Sequence, residues 1–143
     1  SRPRTTIAPT VVTRDGEVVL ALGAAGGIRI LSAIVQTISR YVDQGHDPDS
    51  AVALPRVHPV RGETASGEST TFGEQINLEM TPERGWSPAV AEALRNADFE
   101  VVPVELHASF GRVHLVARSG DTWQGVADKD WEGTASSASC HKQ

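Results

Sequence analysis

The five residues Gly23-Ala24-Ala25-Gly26-Gly27 separate two segments whose hydrophobic periods cannot belong to one element. Before them, Glu17 to Gly23 carries apolar residues on successive positions, Val18, Val19 and Leu20, as a strand covered on both faces does. Beyond them, Leu31, Ile34, Val35, Ile38, Tyr41 and Val42 recur at the spacing of one helix face from Ile28 onward, and Gly45 supplies a left-handed stop. A chain that leaves a buried strand and enters an amphipathic helix through five small residues must fold that helix back onto the sheet. Upstream, Thr6 to Thr13 is rich in β formers, with Val11 next to Val12, and Arg14-Asp15-Gly16 has turn chemistry. The glycine segment is therefore expected to be the exit of a β-hairpin in an inner-layer sheet.

The rest of the chain supplies further elements. Asp47-Pro48 reads as an N-cap with proline in the first helical position, opening a short helix through Ala53 that Pro55 ends. Residues 61–75 are mostly Gly, Ser, Thr and Glu and predict an exposed loop. Ser87-Pro88 opens a helix to about Ala97 in which Val90, Ala93, Leu94 and Ala97 share a face. Residues 99–106, 111–118 and 122–127 read as strands, followed by a small polar tail in which Gly133 to Ser136 can extend a strand. This order suits one antiparallel sheet with helices against it. At 143 residues the chain has room for one domain with a real core.

Composition removes several classes of function. A net charge of -5 without any Lys or Arg cluster longer than a pair argues against nucleic acid or an anionic membrane surface as partner. No apolar run approaches the roughly 20 residues of a spanning helix. Cys140 is the single cysteine, and His46, His58, His107, His114 and His141 show no metal-ligand spacing with it or with one another, so neither metal nor other cofactor is expected. Trp86, Trp123 and Trp131 read as edge packing, and Asp128-Lys129-Asp130 as a solvated turn.

Two segments have the residue types for chemistry. The glycines of the Gly23–Gly27 segment, between strand and helix, present backbone N–H groups without intrahelical partners at the positive end of a helix dipole. Without Cβ atoms, a ligand oxygen can approach them as a tetrahedral oxyanion must. The same glycines also suit a turn that only lets strand and helix pack closely. In Arg2-Pro3-Arg4-Thr5-Thr6, two consecutive hydroxyls can donate to a carboxylate if a bend at Pro3 turns both to one side, or they can be two threonines chosen for β propensity.

Taken together these segments resemble the gamma-glutamyltranspeptidase family. The resemblance lies in Arg-Pro-x-Thr-Thr-x-x-Pro-Thr-x-Val, the Asp-Gly turn, Leu-Gly-Ala-Ala-Gly-Gly-x-x-Ile with its helix, and Ala-Val-x-x-Pro-Arg-x-His at Ala51 to His58. It continues through Gly85-Trp86, Phe110-Gly111-Arg112-Val113 and Gly125-Val126-Ala127-Asp128 to Gly133, and is poorest over Arg61 to Gln75. It implies an α+β, four-layer αββα sandwich of the N-terminal-nucleophile hydrolase type, of which residues 1–143 are the C-terminal part of the small catalytic subunit. The nucleophilic threonine is expected upstream of Ser1, and the large subunit and the upstream part of the small subunit are the implied protein partners. By resemblance, Gly26 and Gly27 form the oxyanion hole, and Thr5 and Thr6 contact the α-carboxylate of a gamma-glutamyl substrate. The implied activity is cleavage of gamma-glutamyl amides through an acyl-enzyme, with transfer to water or an amino acid. The family is usually periplasmic or extracellular, and a biosynthetic relative would be cytoplasmic. One departure stands out: the usual hydroxyl pair is Ser-Ser, and Thr-Thr adds two methyl groups to a tight polar pocket. It points to an alternative, a specialised relative acting on another acyl amide or a biosynthetic intermediate. A third reading, a non-catalytic fragment when isolated, follows from the expected place of the nucleophile.

Overall fold

Asp15 and Gly16, both at positive φ (52° and 83°), make the tight turn between β1 (Thr10–Arg14) and β2 (Glu17–Ala25). This is the hairpin the Asp-Gly pair predicts, although the ladder begins at Thr10 rather than Thr6. The computed structural model describes residues 5–62, 71–106, 110–129 and 133–134. The register slips between Val12 and Thr13, leaving Val19 as a bulged residue between Val18 and Leu20. β2 then pairs antiparallel with β6 (Arg112–Ser119), and β6 with β7 (Thr122–Ala127), giving a four-stranded sheet of order β1-β2-β6-β7.

A single-turn 3-10 segment, Gly27–Arg29, leads into α1 (Ile30–Val42), so the helix proper starts two residues later than its periodicity suggests. α1 and the short α2 (Pro48–Ala53) lie on one face of the sheet. There Leu20, Leu22, Val113, Leu115, Ala117 and Val126 pack against Ile30, Ala33, Ile34 and Val52. The Asp47 side chain accepts from Ser50 N, as the N-cap reading requires, and Ser50 holds its carboxyl below the usual range. The expectation of a sheet covered on both faces is not met among the described residues. Val11, Val116 and Trp123 on the opposite face are exposed, as are Leu31 and Val35 on the outside of α1.

The single antiparallel sheet expected from element order needs correction. Val57–Val60 and Gln75–Glu79 are strands, β3 and β4, and with β5 (Glu100–Val104) they form a second, three-stranded sheet. β3 and β4 are antiparallel, whereas β4 and β5 are parallel because α3 (Pro88–Asn96) carries the chain back between them. Leu78, Ala91 and Val101 make a small core there, with Val57, Met80, Trp86 and Leu94 packed against it. Of the predicted loop over residues 61–75, residues 63–70 lie outside the described residues, Gly62 is buried and Gln75 already belongs to β4.

Candidate active site

β2 delivers the glycine turn to the end of the sheet where α1 begins. Gly26 (φ 140°) and Gly27 (φ 59°) both adopt positive φ, which L side chains rarely tolerate. Each peptide unit here is pinned by its carbonyl side. Ala25 is paired with Arg112 in the ladder, Gly26 O accepts from Arg29 N at 3.3 Å, and Gly27 O accepts from the Thr6 hydroxyl at 2.7 Å and from the Ile30 N–H of the 3-10 turn. A trans peptide points its C=O and the next residue's N–H in opposite directions, so holding Gly26 O aims the Gly27 N–H the other way, and holding Gly27 O does the same for Ile28. Among the described residues neither the Gly26 nor the Gly27 N–H has an acceptor. Both glycines are exposed. The result is a pair of adjacent free donors at the start of a helix, the arrangement an oxyanion or other anion takes.

The two glycines are not held alike. A Cβ on Gly26 would stand 2.7 Å from the Gly111 Cα, whereas a Cβ on Gly27 would meet nothing within 4 Å. Gly111 is itself at positive φ (78°) and wedged against Ala33 and Arg29. Gly26 is therefore fixed by packing, and Gly27 by hydrogen bonding alone.

Thr5 and Thr6 lie just before β1, and the Thr6 hydroxyl bond to Gly27 O brings this segment beside the glycine turn. Thr5 is exposed and Thr6 half-buried, and Thr5 Oγ1 accepts from Ile7 N at 3.3 Å. Arg2, Pro3 and Arg4 lie outside the described residues. A cleft of about 360 Å³ lined by Arg14, Tyr41, His46 and Arg118 lies at the other end of α1, away from all four predicted site residues.

Behind the turn lies a buried ionic network that the sequence reading missed. Arg56 and Asp128 are fully buried and paired at 2.8 Å, and Arg84 reaches Asp128 at 3.2 Å and the buried Glu79 at 3.0 Å. Asp128 is thus the opposite of a solvated turn residue. Its backbone N–H donates to Val113 O, which pulls it in beside β6 and under Arg56. Arg56 also donates to Gly111 O and Val52 O, both at 2.7 Å, while its own N–H donates to Glu79 Oε2. One guanidinium thus ties α2, Asp128 after β7 and the residue that backs Gly26. Arg40 caps the end of α2 through Ala51 O, Leu54 O and Pro55 O, and its burial, with the charge of Arg56, pushes its pKa down to about 10. The one signal in the sequence was Pro55-Arg56, an arginine directly after a helix stop in an apolar surround.

His58 is buried with Nδ1 2.8 Å from Ser32 Oγ, and burial, then the Arg29 charge, lowers its pKa. Among the described residues no third group joins Ser32 and His58 as a catalytic pair would need, and Gln36 clamps the same place by bonding Val57 N and O. His107, Trp131, Asp130, Cys140 and His141 lie outside the described residues, and among the described residues no His, Cys, Asp and Glu group is placed to hold a metal.

Sheet, helix layer and glycine turn together define the chain as part of an α+β N-terminal-nucleophile hydrolase fold, and solved structures share it. The gamma-glutamyltranspeptidase from Pseudomonas nitroreducens complexed with L-DON matches with a TM-score of 0.75 at 23% identity, over 97% of this chain and 65% of that one. A cephalosporin acylase from Bacillus halodurans matches with a TM-score of 0.74 at 21% identity, over 92% of this chain and 22% of that one. The sequence profile of gamma-glutamyltranspeptidases matches residues 1–138. The glutathione hydrolase proenzyme of Bacillus subtilis (strain 168) is 35% identical over 136 residues, 94% of this chain and 20% of the relative. The chain belongs to the gamma-glutamyltranspeptidase family, and its matches span 10% to 30% of the length of these and similar curated relatives.

Proposed function

We propose that this chain is the C-terminal part of the small subunit of a gamma-glutamyl amide hydrolase or acyltransferase, and that the N–H groups of Gly26 and Gly27 stabilise its oxyanion. A threonine in a segment preceding residue 1 attacks the gamma-amide carbonyl, with its own amine as base. Negative charge then develops on the carbonyl oxygen, the two glycine N–H groups hold it, and the amine departs to leave an acyl-enzyme that water or an amino acid resolves. Thr5 and Thr6 border the acyl group's carboxylate end, and the large subunit closes the pocket. The observation that carries this reading is the turn itself, two adjacent exposed N–H groups at positive φ that have no acceptor among the described residues.

Gly27→Ala in the full-length enzyme tests it. An added methyl at the donor crowds the approaching oxygen, and loss of one oxyanion donor costs about a hundred- to a thousandfold in kcat. The expected result is a steep fall in kcat with KM little changed. Near-native kcat with a sharply lowered melting temperature would show a packing glycine instead.

A second reading, cleavage of a different acyl amide, is favoured by the Thr-Thr pair, whose β-methyls narrow a site where only hydroxyls are needed. A panel of gamma-glutamyl and other acyl anilides separates the two by relative kcat/KM.

A further inference from the structure

Arg29, between the glycine turn and α1, is half-buried, and its guanidinium has no hydrogen bond or ion pair among the described residues. Its Nε is also closed to water. Other buried arginines are treated differently: Arg56 is held by Asp128 and two carbonyls, and Arg40 by three carbonyls. The neighbour that feels the Arg29 charge is His58, which adds no negative charge and whose pKa Arg29 helps to lower. A guanidinium stays charged at every ordinary pH, so a partly dry position is costly for it until an anion arrives. Its planar fork fits a carboxylate with two parallel bonds.

The surface beside this cation is apolar. Ile28, Leu31 and Val35, spaced three and four apart, form one stripe, and each is more than half exposed. Arg29, Ser32 and Gln36 follow at the same spacing on the next flank, where Ser32 bonds His58 and Gln36 bonds Val57 of β3. The cation thus stands between an uncovered stripe and the edge strand of the second sheet. A layer laid on the stripe removes water from around Arg29, which makes a bare charge costlier and a carboxylate bond stronger.

We propose that the outer face of the 3-10 segment and α1 docks a segment of the enzyme that precedes residue 1, and that an Asp or Glu of that segment pairs with Arg29. The surface sets the occupant's chemistry: apolar residues over Ile28, Leu31 and Val35, and one carboxylate at the Arg29 end. One cation beside the stripe, on a chain of net charge -5, does not suit an anionic membrane. The curated relatives have far more chain than the 10% to 30% matched here, which is the source of such a segment. The proposal rests on the reading that this chain is the C-terminal part of a longer enzyme, and not on the oxyanion role of the glycines. Because the Arg29 N–H holds Gly26 O, a clamp on the Arg29 side chain also steadies the residue that braces the turn.

The test uses the full-length, matured enzyme. Its crystal structure is expected to show a carboxylate oxygen of a preceding segment within about 4 Å of the Arg29 guanidinium, with apolar residues of that segment on Leu31 and Val35. Arg29→Met keeps the stem and removes the charge, and Arg29→Lys keeps a charge without the fork. Arg29→Met and the amide variant of the partner acid are each expected to lower the melting temperature by several degrees. The double variant should melt no lower than the worse single one, since the second change removes the charge that the first stranded. Arg29→Lys should fall between native and Arg29→Met. A guanidinium that meets only water, a carboxylate from a second copy of this chain, or single losses that add in the double variant overturns the proposal. So does a native melting temperature for Arg29→Met with KM raised only for donors whose leaving amine carries a carboxylate, a result that gives the seat to substrate. If Arg29→Met does not mature, the cycle is run with Arg29→Lys and scored the same way. A gene with no coding sequence ahead of residue 1 removes the reading beneath the proposal, whereas an enzyme with such a segment and a bare Arg29 removes only the docking.

Discussion

At the scale of single residues, Gly26 and Gly27 look interchangeable in the sequence and are opposite in the structure. Gly26→Ala drives a methyl into the Gly111 backbone at 2.7 Å and costs folding stability, while Gly27→Ala extends into open space and pays only the left-handed φ, about 1–2 kcal/mol. The expected outcome is that Gly26→Ala lowers the melting temperature of the assembled enzyme far more than Gly27→Ala does. Equal melting temperatures would show that the Gly111 contact yields. The glycine pair was legible because the hydrophobic period changes across it. The partner of the Thr6 hydroxyl was not, since it is a carbonyl 21 residues away. His58 carries a pH effect of definite sign. Its pKa is lowered in the folded state, so the unfolded chain binds the extra proton first, and stability present above pH of about 6.5 is lost as pH falls through the lower folded value. Melting temperature should drop on acidification in that window, and His58→Gln should flatten the drop. A profile unchanged by His58→Gln would assign the acid sensitivity elsewhere.

At the scale of elements, periodicity found the long ones and missed those whose reason lies in the tertiary structure. β1, β2, β5, β6, β7 and the three helices all announce themselves through apolar spacing or capping residues. β3 is four residues with a proline in the middle, and β4 alternates Gln, Asn and Glu with two apolar residues, so neither has a local signal. What holds them is the buried network: Glu79 at the end of β4 accepts from the Arg56 N–H, and Trp86 Nε1 donates to Arg56 O. An ion pair with both partners fully buried is costly to break from one side, because the remaining charge is stranded, at about 3–5 kcal/mol. Asp128→Ala should therefore destabilise the assembled enzyme by about that amount, measured by denaturant unfolding. It should also lower kcat, since Arg56 then loses the partner that aims it at Gly111 O, the residue backing Gly26. A loss below about 1 kcal/mol, the range of exposed pairs, would mean that water replaces Asp128.

At the scale of the molecule, the described residues give the larger sheet helical cover on one face alone. That four-stranded sheet is covered by α1 and α2 on one face, and on the other Val11, Val116 and Trp123 are 60%, 43% and 48% exposed. Ile28 in the 3-10 segment, and Leu31 and Val35 on the outside of α1, are each more than half exposed. Successive apolar residues in β2 announced a sheet meant for cover on both sides, and the second cover is not among the described residues. Fully burying an apolar side chain of this size contributes about 1.5–3 kcal/mol, so six half-exposed ones leave on the order of 5 kcal/mol or more unrealised. That compares with the whole stability of a typical domain, about 5–15 kcal/mol. Residues 1–143 produced alone should accordingly bind a hydrophobic dye, associate at micromolar concentration and melt without a sharp transition, and they should have no gamma-glutamyl hydrolase activity. Production together with the preceding segments of the enzyme should remove the dye signal and sharpen the transition, because apolar cover removes that surface from water. Substituting Val116 and Trp123 by Thr and Gln should then act in opposite directions in the two settings. In the isolated chain it reduces association, and in the assembled enzyme it lowers the melting temperature. A sharp, monomeric melt of the isolated chain, or an assembled enzyme indifferent to the substitutions, would show that this face needs no cover.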